Sequence, residues 1–366
     1  MLLDASAIAG DAVAAADAVS LVHAGDGEPG LRRLRRGNGF RYVDARGKAV
    51  RDPGTLSRIR ALAVPPAWTA VWISADPDGH IQATGRDVKR RKQYRYHAKW
   101  RQVRDEAKYY RLVAFCAALP KLRAAVEVDL RSHGLSKRKV VATVVALMER
   151  AQLRVGNDEY TRQNGSYGAT TLRDRHAKIH GDTLELAYRG KSGVKRNIVL
   201  TDRRLARIVR SCRDLPGQRL FQYVDEGVIH PITSNDVNEY LHDIGGGPFT
   251  AKDYRTWAAT LGATMLLCAM DHPGGERGVK KCVKQMLDAV STKLGHTPAV
   301  CRSSYIHPRV LDDFAANTLA PRLARAVHRR IGDVEISAKA ITVDTLRAIE
   351  PVVARYLDGQ PRRRRA

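Results

Sequence analysis

The sequence predicts an α+β fold, in which a small antiparallel β-rich N-terminal domain precedes a larger, mainly helical domain that contains a β-hairpin. Up to about residue 100, short segments of alternating polarity are separated by Asp-Gly, Pro-Asp and Arg-Gly turns, as in an antiparallel sheet. Beyond that point, helix-capping residues and helical periodicity dominate. One later stretch, "DTLELAYRGKSGVKRNIVL", consists of two strand-like runs joined by Gly-Lys-Ser-Gly, which predicts a hairpin with Lys191 at its tip.

The chain divides into four parts by composition. Residues 1–30 are Ala-rich, carry five acidic side chains without a Lys or Arg, and predict a weakly ordered acidic arm. We expect folding to begin near Leu31. The predicted β-rich domain covers residues 31–103, the predicted helical domain covers 104–360, and residues 361–366 form a basic tail.

Individual elements follow from local signals. The segments "GFRYVDARGKAV", "AVWISADPDGHIQATGRD" and "KQYRYH" are predicted to supply the strands of the N-terminal sheet. Ser136 is the expected N-cap of the helix "KRKVVATVVALMERAQL", and a Thr or Ser caps "TSNDVNEYLHDI". The helix within "GERGVKKCVKQMLDAVSTKLG" is expected to end at Gly295.

Net charge points to a polyanionic partner. The 366 residues carry 63 Lys and Arg against 38 Asp and Glu, a formal net charge of +25 and a pI near 10.2. With this charge, nucleic acid is favoured over a membrane surface as the partner. The apolar runs are too short to span a bilayer. The N-terminus does not resemble an export signal, so we expect a soluble, cytoplasmic protein associated with the nucleoid. Arg-rich and Ala-rich usage indicates a bacterium with GC-rich DNA.

The sequence offers no metal or cofactor site. The five cysteines include no CxxC pair, and neither an HExxH motif nor a P-loop is present. Asp271 stands beside His272, but one adjacent pair is not a metal-binding pattern. If phosphate chemistry occurs here, cationic side chains must stabilise the charge that a metal ion would otherwise stabilise. We therefore expect a reaction that needs neither a metal nor ATP.

Five short motifs in series resemble the catalytic set of type IB DNA topoisomerases of the compact poxvirus and bacterial kind. They are "RVGNDEY" with Arg154, "YRGKSG" with Lys191, "KDYRT" with Lys252 and Arg255, "LGHTP" with His296, and "SSYIHP" with Tyr305. The stretch "GRDVKRRKQYRYHAKW" also resembles the segment by which the small domain of those enzymes grips duplex DNA. The similarity runs from about Gly37 to Phe314, so the acidic arm and the last fifty residues lie outside it.

This resemblance implies a topoisomerase that relaxes positive and negative supercoils by cutting one strand, allowing rotation and resealing. Tyr305 would be the nucleophile and would hold the DNA through a 3′-phosphotyrosyl link. Two guanidiniums, Arg154 and Arg255, and the His296 imidazole N–H suit the charge that develops on the phosphate oxygens. Lys191 at a hairpin tip would protonate the leaving 5′-oxygen, and positive surroundings would activate Tyr305 without a dedicated base.

The spacing of His296 and Tyr305 constrains the local structure. In one continuous helix, nine residues would separate them by about 13 Å on opposite faces. Thr297 as N-cap and Pro298 as first helical residue instead place the histidine outside the helix, so that it can fold back toward the phosphate.

Contacts with DNA are expected from two regions. The "KRRKQYRY" strand is predicted to enter the major groove, where Arg and Gln read base edges, and two further candidates lie near the catalytic residues. The DNA-binding candidates are Lys89, Arg91, Gln93, Tyr94, Tyr96, Tyr160 and Lys252. The expected partner is duplex DNA, preferably supercoiled, which the protein clamps as a monomer.

Two alternatives remain. A tyrosine recombinase uses similar residues to exchange strands, but usually carries HxxR where this chain has Lys252-Asp253-Tyr254-Arg255, and begins with a helical domain. A basic architectural protein could retain the fold and bind DNA without catalysis. Retention of every catalytic position argues against the latter.

Overall fold

The computed structural model describes residue 16 and residues 20–359, except the side chains of 101–107 and 110. The chain divides into two compact units, with the boundary between Arg111 and Leu112. This boundary lies inside one long helix, Ala98–Arg131, eight residues beyond the end predicted for the β-rich domain at residue 103. The basic tail and most of the acidic arm lie outside the described residues.

The N-terminal unit contains a five-stranded antiparallel sheet in the order β2-β1-β3-β4-β5. Its strands are β1 Leu31–Arg36, β2 Gly39–Val43, β3 Thr69–Ile73, β4 Ile81–Arg86 and β5 Lys92–Tyr96, and helix α1 spans Pro53–Ala61. One face of the sheet packs on α1 through Leu31, Val71, Ile73, Ala83 and Ile59. The three predicted strand regions are confirmed, and β1, with the sequence "LRRLRR", is an additional strand.

Contacts with this sheet begin before Leu31, where the sequence analysis placed the start of the fold. Leu21 and Ala24 are buried, and the Ala24 N–H donates to Nδ1 of His80 at 2.9 Å. Trp72 Nε1 donates to the Glu28 carbonyl at 3.0 Å. Residues 21–30 therefore pack against the N-terminal unit, because these polar contacts fix a segment that has few apolar side chains of its own.

Helices dominate the C-terminal unit, as predicted. After α2 (Ala98–Arg131) come α3 Lys137–Ala151, α4 Asp158–Asn164, α5 Arg203–Arg213, α6 Ser234–Gly245, α7 Ala251–Cys268, α8 Glu276–Leu294, α9 Pro298–Ser304, α10 Pro308–Ala315, α11 Leu319–Ile331 and α12 Val343–Asp358. The strands are β6 Ala177–His180, β7 Thr183–Arg189 and β8 Lys195–Thr201 in one sheet, and β9 Gln222–Asp225 and β10 Val228–Pro231 in another. No helix in the described part of the chain is long and apolar enough to cross a membrane.

Three predicted helix ends are confirmed. The Ser136 hydroxyl accepts from the Lys139 N–H at the start of α3, and Thr233 forms a capping box with Asp236 at the start of α6. Helix α8 ends at Gly295, whose φ of +65° is easily adopted by glycine. These caps satisfy backbone groups that a helix end would leave unpaired.

Helix α7 is the centre of the C-terminal unit and is buried along almost its whole length. It packs against α3, α8, α11 and α12. An ionic network joins α12 to this centre: Glu350 accepts from Trp257 Nε1 at 2.8 Å and pairs with Arg123, which also contacts Glu149. The C-terminal helix, outside the region of resemblance, therefore supports the helix that carries Arg255.

Candidate active site and nucleic-acid interface

The loop after α3 places Arg154. Helix α3 stops at Gln152 in the left-handed region (φ +53°), and two residues later the chain runs beside Gly168. Ala169 N–H donates to the Arg154 carbonyl at 2.8 Å. Gly156 has φ +105°, and a Cβ there would lie 2.8 Å from Thr170 Oγ1, so only glycine fits this close approach. Gly156 thus allows the close approach that fixes the backbone beside Arg154.

Arg255 lies on the second turn of α7 and is buried, with 3% of its surface exposed. Its Nη1 donates to the Gln152 carbonyl and its Nη2 to the Leu294 carbonyl at 2.7 Å. Its Nε is buried without a hydrogen-bond partner among the described residues. Burial and the nearby Arg154 guanidinium lower its pKa to about 10, so it stays protonated at neutral pH.

His296 and Tyr305 flank the short helix α9, as the sequence analysis predicted. The Thr297 side chain accepts from the Val300 N–H, Pro298 occupies the first turn, and His296 stands outside the helix. Tyr305 follows the last helical residue, and Thr260 of α7 donates to its carbonyl at 3.3 Å. The His296 and Tyr305 rings come together with their centroids 4.3 Å apart.

Three consecutive carbonyls at the end of α8 orient three arginines. The Lys293 carbonyl accepts from Arg196, the Leu294 carbonyl from Arg255, and the Gly295 carbonyl from Arg154, at 3.0, 2.7 and 2.8 Å. We call this set of carbonyls, residues 293–295, the carbonyl platform. Because these groups carry the negative end of the helix dipole, they hold guanidiniums without cancelling their charge.

His296 follows the platform directly and contacts this positive cluster. Arg154 Nη2 lies 3.1 Å from its Nδ1 and 3.3 Å from its Nε2. Burial, then Arg154, Arg255 and more distant cations, lower the pKa of His296 to about 3. The imidazole is therefore neutral at physiological pH and can donate one ring N–H.

The predicted hairpin is confirmed, with β7 and β8 paired from Thr183–Thr201 to Arg189–Lys195. Lys191 lies in the exposed turn between them, where Ser192 and Gly193 have φ of +63° and +78°. Lys191 Nζ stands 5.9 Å from the ring centroid of Tyr160 on α4. The hairpin thus places the Lys191 ammonium group beside Tyr160, one of the predicted DNA-binding residues.

These side chains surround one open cavity of about 480 Å³. Its lining includes Arg154, Lys191, Arg255, Tyr305, Tyr160 and Lys252. Four predicted catalytic residues and two DNA-binding candidates therefore meet in one place, and His296 touches the set through Arg154 and Tyr305. Sequence reasoning missed Arg196 and Thr260, because neither belongs to a motif and both act through backbone carbonyls.

In the N-terminal unit, the DNA-binding candidates are divided between a turn and a strand. The prediction that all five lie on one strand is wrong for Lys89 and Arg91, because Asp87 folds residues 87–91 into a turn. Its carboxylate accepts from the N–H groups of Lys89 and Arg91 at 2.9 and 3.0 Å. The same carboxylate binds the Arg91 side chain at 2.6 Å and that of Gln93 at 3.1 Å.

The two tyrosines of β5 differ in exposure. Tyr94 is 41% exposed and stacks on Tyr96 with ring centroids 5.7 Å apart. Tyr96 packs against the buried cluster of Leu21 and Trp100. Tyr94 is thus the more accessible of the two for a nucleic acid.

Comparisons with known proteins find matches among DNA topoisomerases. A family model described as "Eukaryotic DNA topoisomerase I, catalytic core" matches residues 97–324, and "Bacterial DNA topoisomerase IB, N-terminal domain" matches residues 39–87. The DNA topoisomerase 1B of Acanthamoeba polyphaga mimivirus is 32% identical over 296 residues, which cover 79% of this chain and 88% of that protein. The DNA topoisomerase 1B of vaccinia virus (strain Copenhagen) is 20% identical over 234 residues, 62% of this chain and 70% of that protein.

The fold, the cavity and these matches together describe an enzyme that acts on DNA. The chain belongs to the type IB DNA topoisomerase family, with an N-terminal domain of the bacterial kind. The resemblance described from the sequence is confirmed, and the matches favour it over the recombinase and architectural alternatives.

Proposed function

We propose that the cavity carries out a reversible transesterification on one strand of duplex DNA. The observation that carries this proposal is the meeting of Tyr305, Arg154, Arg255 and Lys191 around one cavity, with His296 against both Tyr305 and Arg154. A nucleophile, several fixed cations and an exposed ammonium group are what phosphodiester exchange requires.

Cleavage begins when Tyr305 Oη attacks the scissile phosphorus. An oxygen–phosphorus bond forms to the tyrosine, and the bond from phosphorus to the 5′-oxygen breaks. The tyrosine proton passes to solvent, since no carboxylate among the described residues lines the cavity. Lys191 Nζ gives its proton to the leaving 5′-oxygen, which becomes a free hydroxyl.

Negative charge builds up on the nonbridging oxygens during this step. Arg154 and Arg255 supply preorganised guanidinium donors, and His296 supplies a neutral N–H. The unpartnered Nε of Arg255 is already desolvated, and its Nη atoms must partly release their carbonyls if it binds phosphate in a bidentate manner.

Resealing is the same reaction in reverse. The 5′-hydroxyl attacks the phosphotyrosine, the tyrosine oxygen leaves and takes up a proton, and Lys191 recovers the proton from the hydroxyl. Since one phosphodiester is exchanged for another, bond energy is conserved and ATP is not consumed. Between the two steps the cut strand rotates, which relaxes supercoils of either sign.

DNA contacts on the N-terminal unit are proposed for the turn and strand that Asp87 organises. Lys89 is exposed, and Arg91 and Gln93 are held in fixed positions by the Asp87 carboxylate. A rigid Arg and Gln suit base edges in the major groove, and Lys89 suits a phosphate. Tyr94 and Tyr96 would add contacts along the strand.

At the cavity, Tyr160 and Lys252 would contact the backbone near the scissile phosphate. We also propose that the helical unit has the fold shared with tyrosine recombinases. The proposal extends to a monomer that acts on supercoiled DNA in the bacterial cytoplasm. The match to a bacterial N-terminal domain supports the bacterial origin in this proposal.

The test is covalent capture. Wild-type protein is incubated with radiolabelled duplex DNA in EDTA, denatured, and the residue bound to the DNA 3′ end is mapped. We expect Tyr305 to carry the DNA, and we expect Tyr305→Phe to bind DNA normally but form no adduct and relax no plasmid. Tyr223→Phe, outside the cavity lining, is the matched control. Plasmid relaxation by Tyr305→Phe would refute the assignment.

A further inference from the structure

Arg196 of β8 is not among the residues that line the cavity. It pairs across the hairpin with Tyr188, and its side chain is half-buried. The stem passes Gly190, where a Cβ would lie 3.3 Å from Arg196 Cγ. The guanidinium reaches Gly295, where a Cβ would lie 2.9 Å from Arg196 Nη1. Two glycines thus leave room for this one side chain.

The far end of Arg196 is bound to the carbonyl platform. Its Nη1 donates to the Lys293 carbonyl at 3.0 Å, beside the carbonyls that hold Arg255 and Arg154. Arg196 does not line the cavity, so it is not placed to touch the phosphate. Its hydrogen bond instead connects the Lys191 hairpin to the helix end from which His296 follows.

The hydrogen bond of Arg196 links the β8 side of the hairpin to the end of α8. Lys191 to Gly193 form an exposed turn, and the Tyr167 N–H donates to the Arg189 carbonyl at 2.8 Å on the other strand. A general acid must lie within hydrogen-bond reach of the atom that it protonates. The position of Lys191 therefore depends on how firmly β8 is held to α8.

Arg196 is also held there at an electrostatic cost. Burial is the main cause of the lowered pKa of His296, Arg154 and Lys293, and the positive charge of Arg196 lowers each of them further. Among the described residues no carboxylate forms an ion pair with it. A cation placed beside other cations, and held by the Lys293 carbonyl and the Tyr188 side chain, is better explained by a positioning task than by general stabilisation.

We propose that Arg196 is a positioning residue that fixes the Lys191 hairpin to the carbonyl platform and thereby holds the general acid in place. This inference rests on the proposed function, in which Lys191 protonates the leaving 5′-oxygen. It predicts that replacement of Arg196 slows cleavage only when the leaving group needs that proton.

The experiment compares two DNA substrates in single-turnover cleavage: an ordinary phosphodiester and a 5′-bridging phosphorothiolate, whose thiolate leaves without a proton. Arg196→Met keeps the aliphatic stem between the glycines and removes the hydrogen bond. We expect it to slow ordinary cleavage by about 10- to 100-fold, the effect of a small misplacement of a catalytic group. On the phosphorothiolate its rate should return close to that of wild type.

Lys191→Ala is the positive control, because the same substrate should relieve its defect if Lys191 is the acid. Asn197→Ala, the exposed neighbour of Arg196 on β8, is the matched negative control and should cleave both substrates normally. If Arg196→Met does not fold by circular dichroism, Arg196→Lys replaces it. This variant retains one donor and should show a smaller defect with the same relief.

The outcomes separate the two proposals. Relief of Lys191→Ala without relief of the Arg196 variant would overturn the positioning inference and leave the acid assignment intact. Ordinary cleavage at the wild-type rate by the Arg196 variant would overturn it as well. Failure to relieve Lys191→Ala would remove Lys191 from the acid role, and the role of Arg196 with it.

Discussion

Replacement of His296 tests the charge state on which the proposed reaction depends. The imidazole lies against Arg154 and near Arg255 and Lys191, and burial with these cations lowers its pKa to about 3. It should therefore act on the phosphate as a neutral donor and not as an imidazolium. A bound phosphodiester brings one negative charge to a site with several positive ones, so the remaining positive charge still favours the neutral imidazole.

The expected magnitude follows from the loss of one preorganised donor. Removing such a donor from an oxyanion site costs about 10²- to 10³-fold in rate, or about 2.7–4 kcal/mol. His296 donates without charge, so we expect His296→Ala at the lower end, about 10²-fold. His296→Gln retains an amide N–H and should lose less. Affinity for DNA should change little, because Arg154 and Arg255 remain.

The assay is single-turnover cleavage at saturating DNA between pH 5 and 8, with wild type and His296→Gln measured side by side. The ratio of the two rates should be constant across this range, because a histidine with a pKa near 3 does not titrate within it. A ratio that grows as the pH falls through about 6.5 would show that the imidazolium is the active form, and would refute this reasoning.

The lowered pKa of His296 should also make the free energy of unfolding depend on pH, in a direction that can be worked out. The pKa of His296 is lower in the folded protein than the ordinary value of 6.5, so the unfolded chain takes up this proton first. Its contribution to the free energy of unfolding is complete above about pH 6.5 and is lost as the pH falls toward 3. Between pH 7 and pH 4, the free energy of unfolding measured by urea denaturation should therefore fall more for wild type than for His296→Gln.

Two further predictions distinguish catalytic charge from binding charge. Arg154→Ala should slow cleavage by about 10²- to 10³-fold with little loss of affinity for DNA. Lys89→Ala should lower the affinity for DNA and reduce the slope of log affinity against log salt by about one unit. Its cleavage rate at saturating DNA should stay normal. Lost affinity with a normal cleavage rate for Arg154→Ala would make it a DNA clamp. Asp26 pairs with Lys92 on β5 at 2.7 Å, so Asp26→Asn should free this lysine for a phosphate and steepen the salt dependence by about one unit. Glu28→Gln, which changes the net charge by the same amount, is the control. Equal effects of Asp26→Asn and Glu28→Gln on the salt dependence would exclude a specific role for the Asp26–Lys92 ion pair.

The parts of the fold predicted from sequence were those with local causes. The helix-end signals act within a few residues of the ends that they define, so they can be recognised in the sequence. Examples are Ser136, Gly295 and the Thr297-Pro298 pair. The Gly-Lys-Ser-Gly turn is local in the same sense. The prediction that His296 lies outside the helix that precedes Tyr305 followed from these rules alone.

The parts that were missed depend on distant partners. Strand β1 is mostly arginine, and it forms because β2 and β3 pair with it on both sides. Residues 21–30 are ordered by His80 and Trp72, which are more than forty residues away. Arg255 gives no sign in the sequence that it is buried, since its burial is created by the carbonyls of Gln152 and Leu294.

The carbonyl platform explains how the site can be assembled before DNA arrives and still attract it. Carboxylates would have held Arg154, Arg255 and Arg196 more strongly, but each would have cancelled a positive charge. Backbone carbonyls satisfy the hydrogen bonds and leave the charge in place. Burial lowers the pKa values of Arg255 and His296, and this retained positive charge lowers them further. The free protein therefore keeps a positive field that only an anion relieves. Since a phosphorane carries more negative charge than a phosphodiester, the same field favours the transition state over bound DNA.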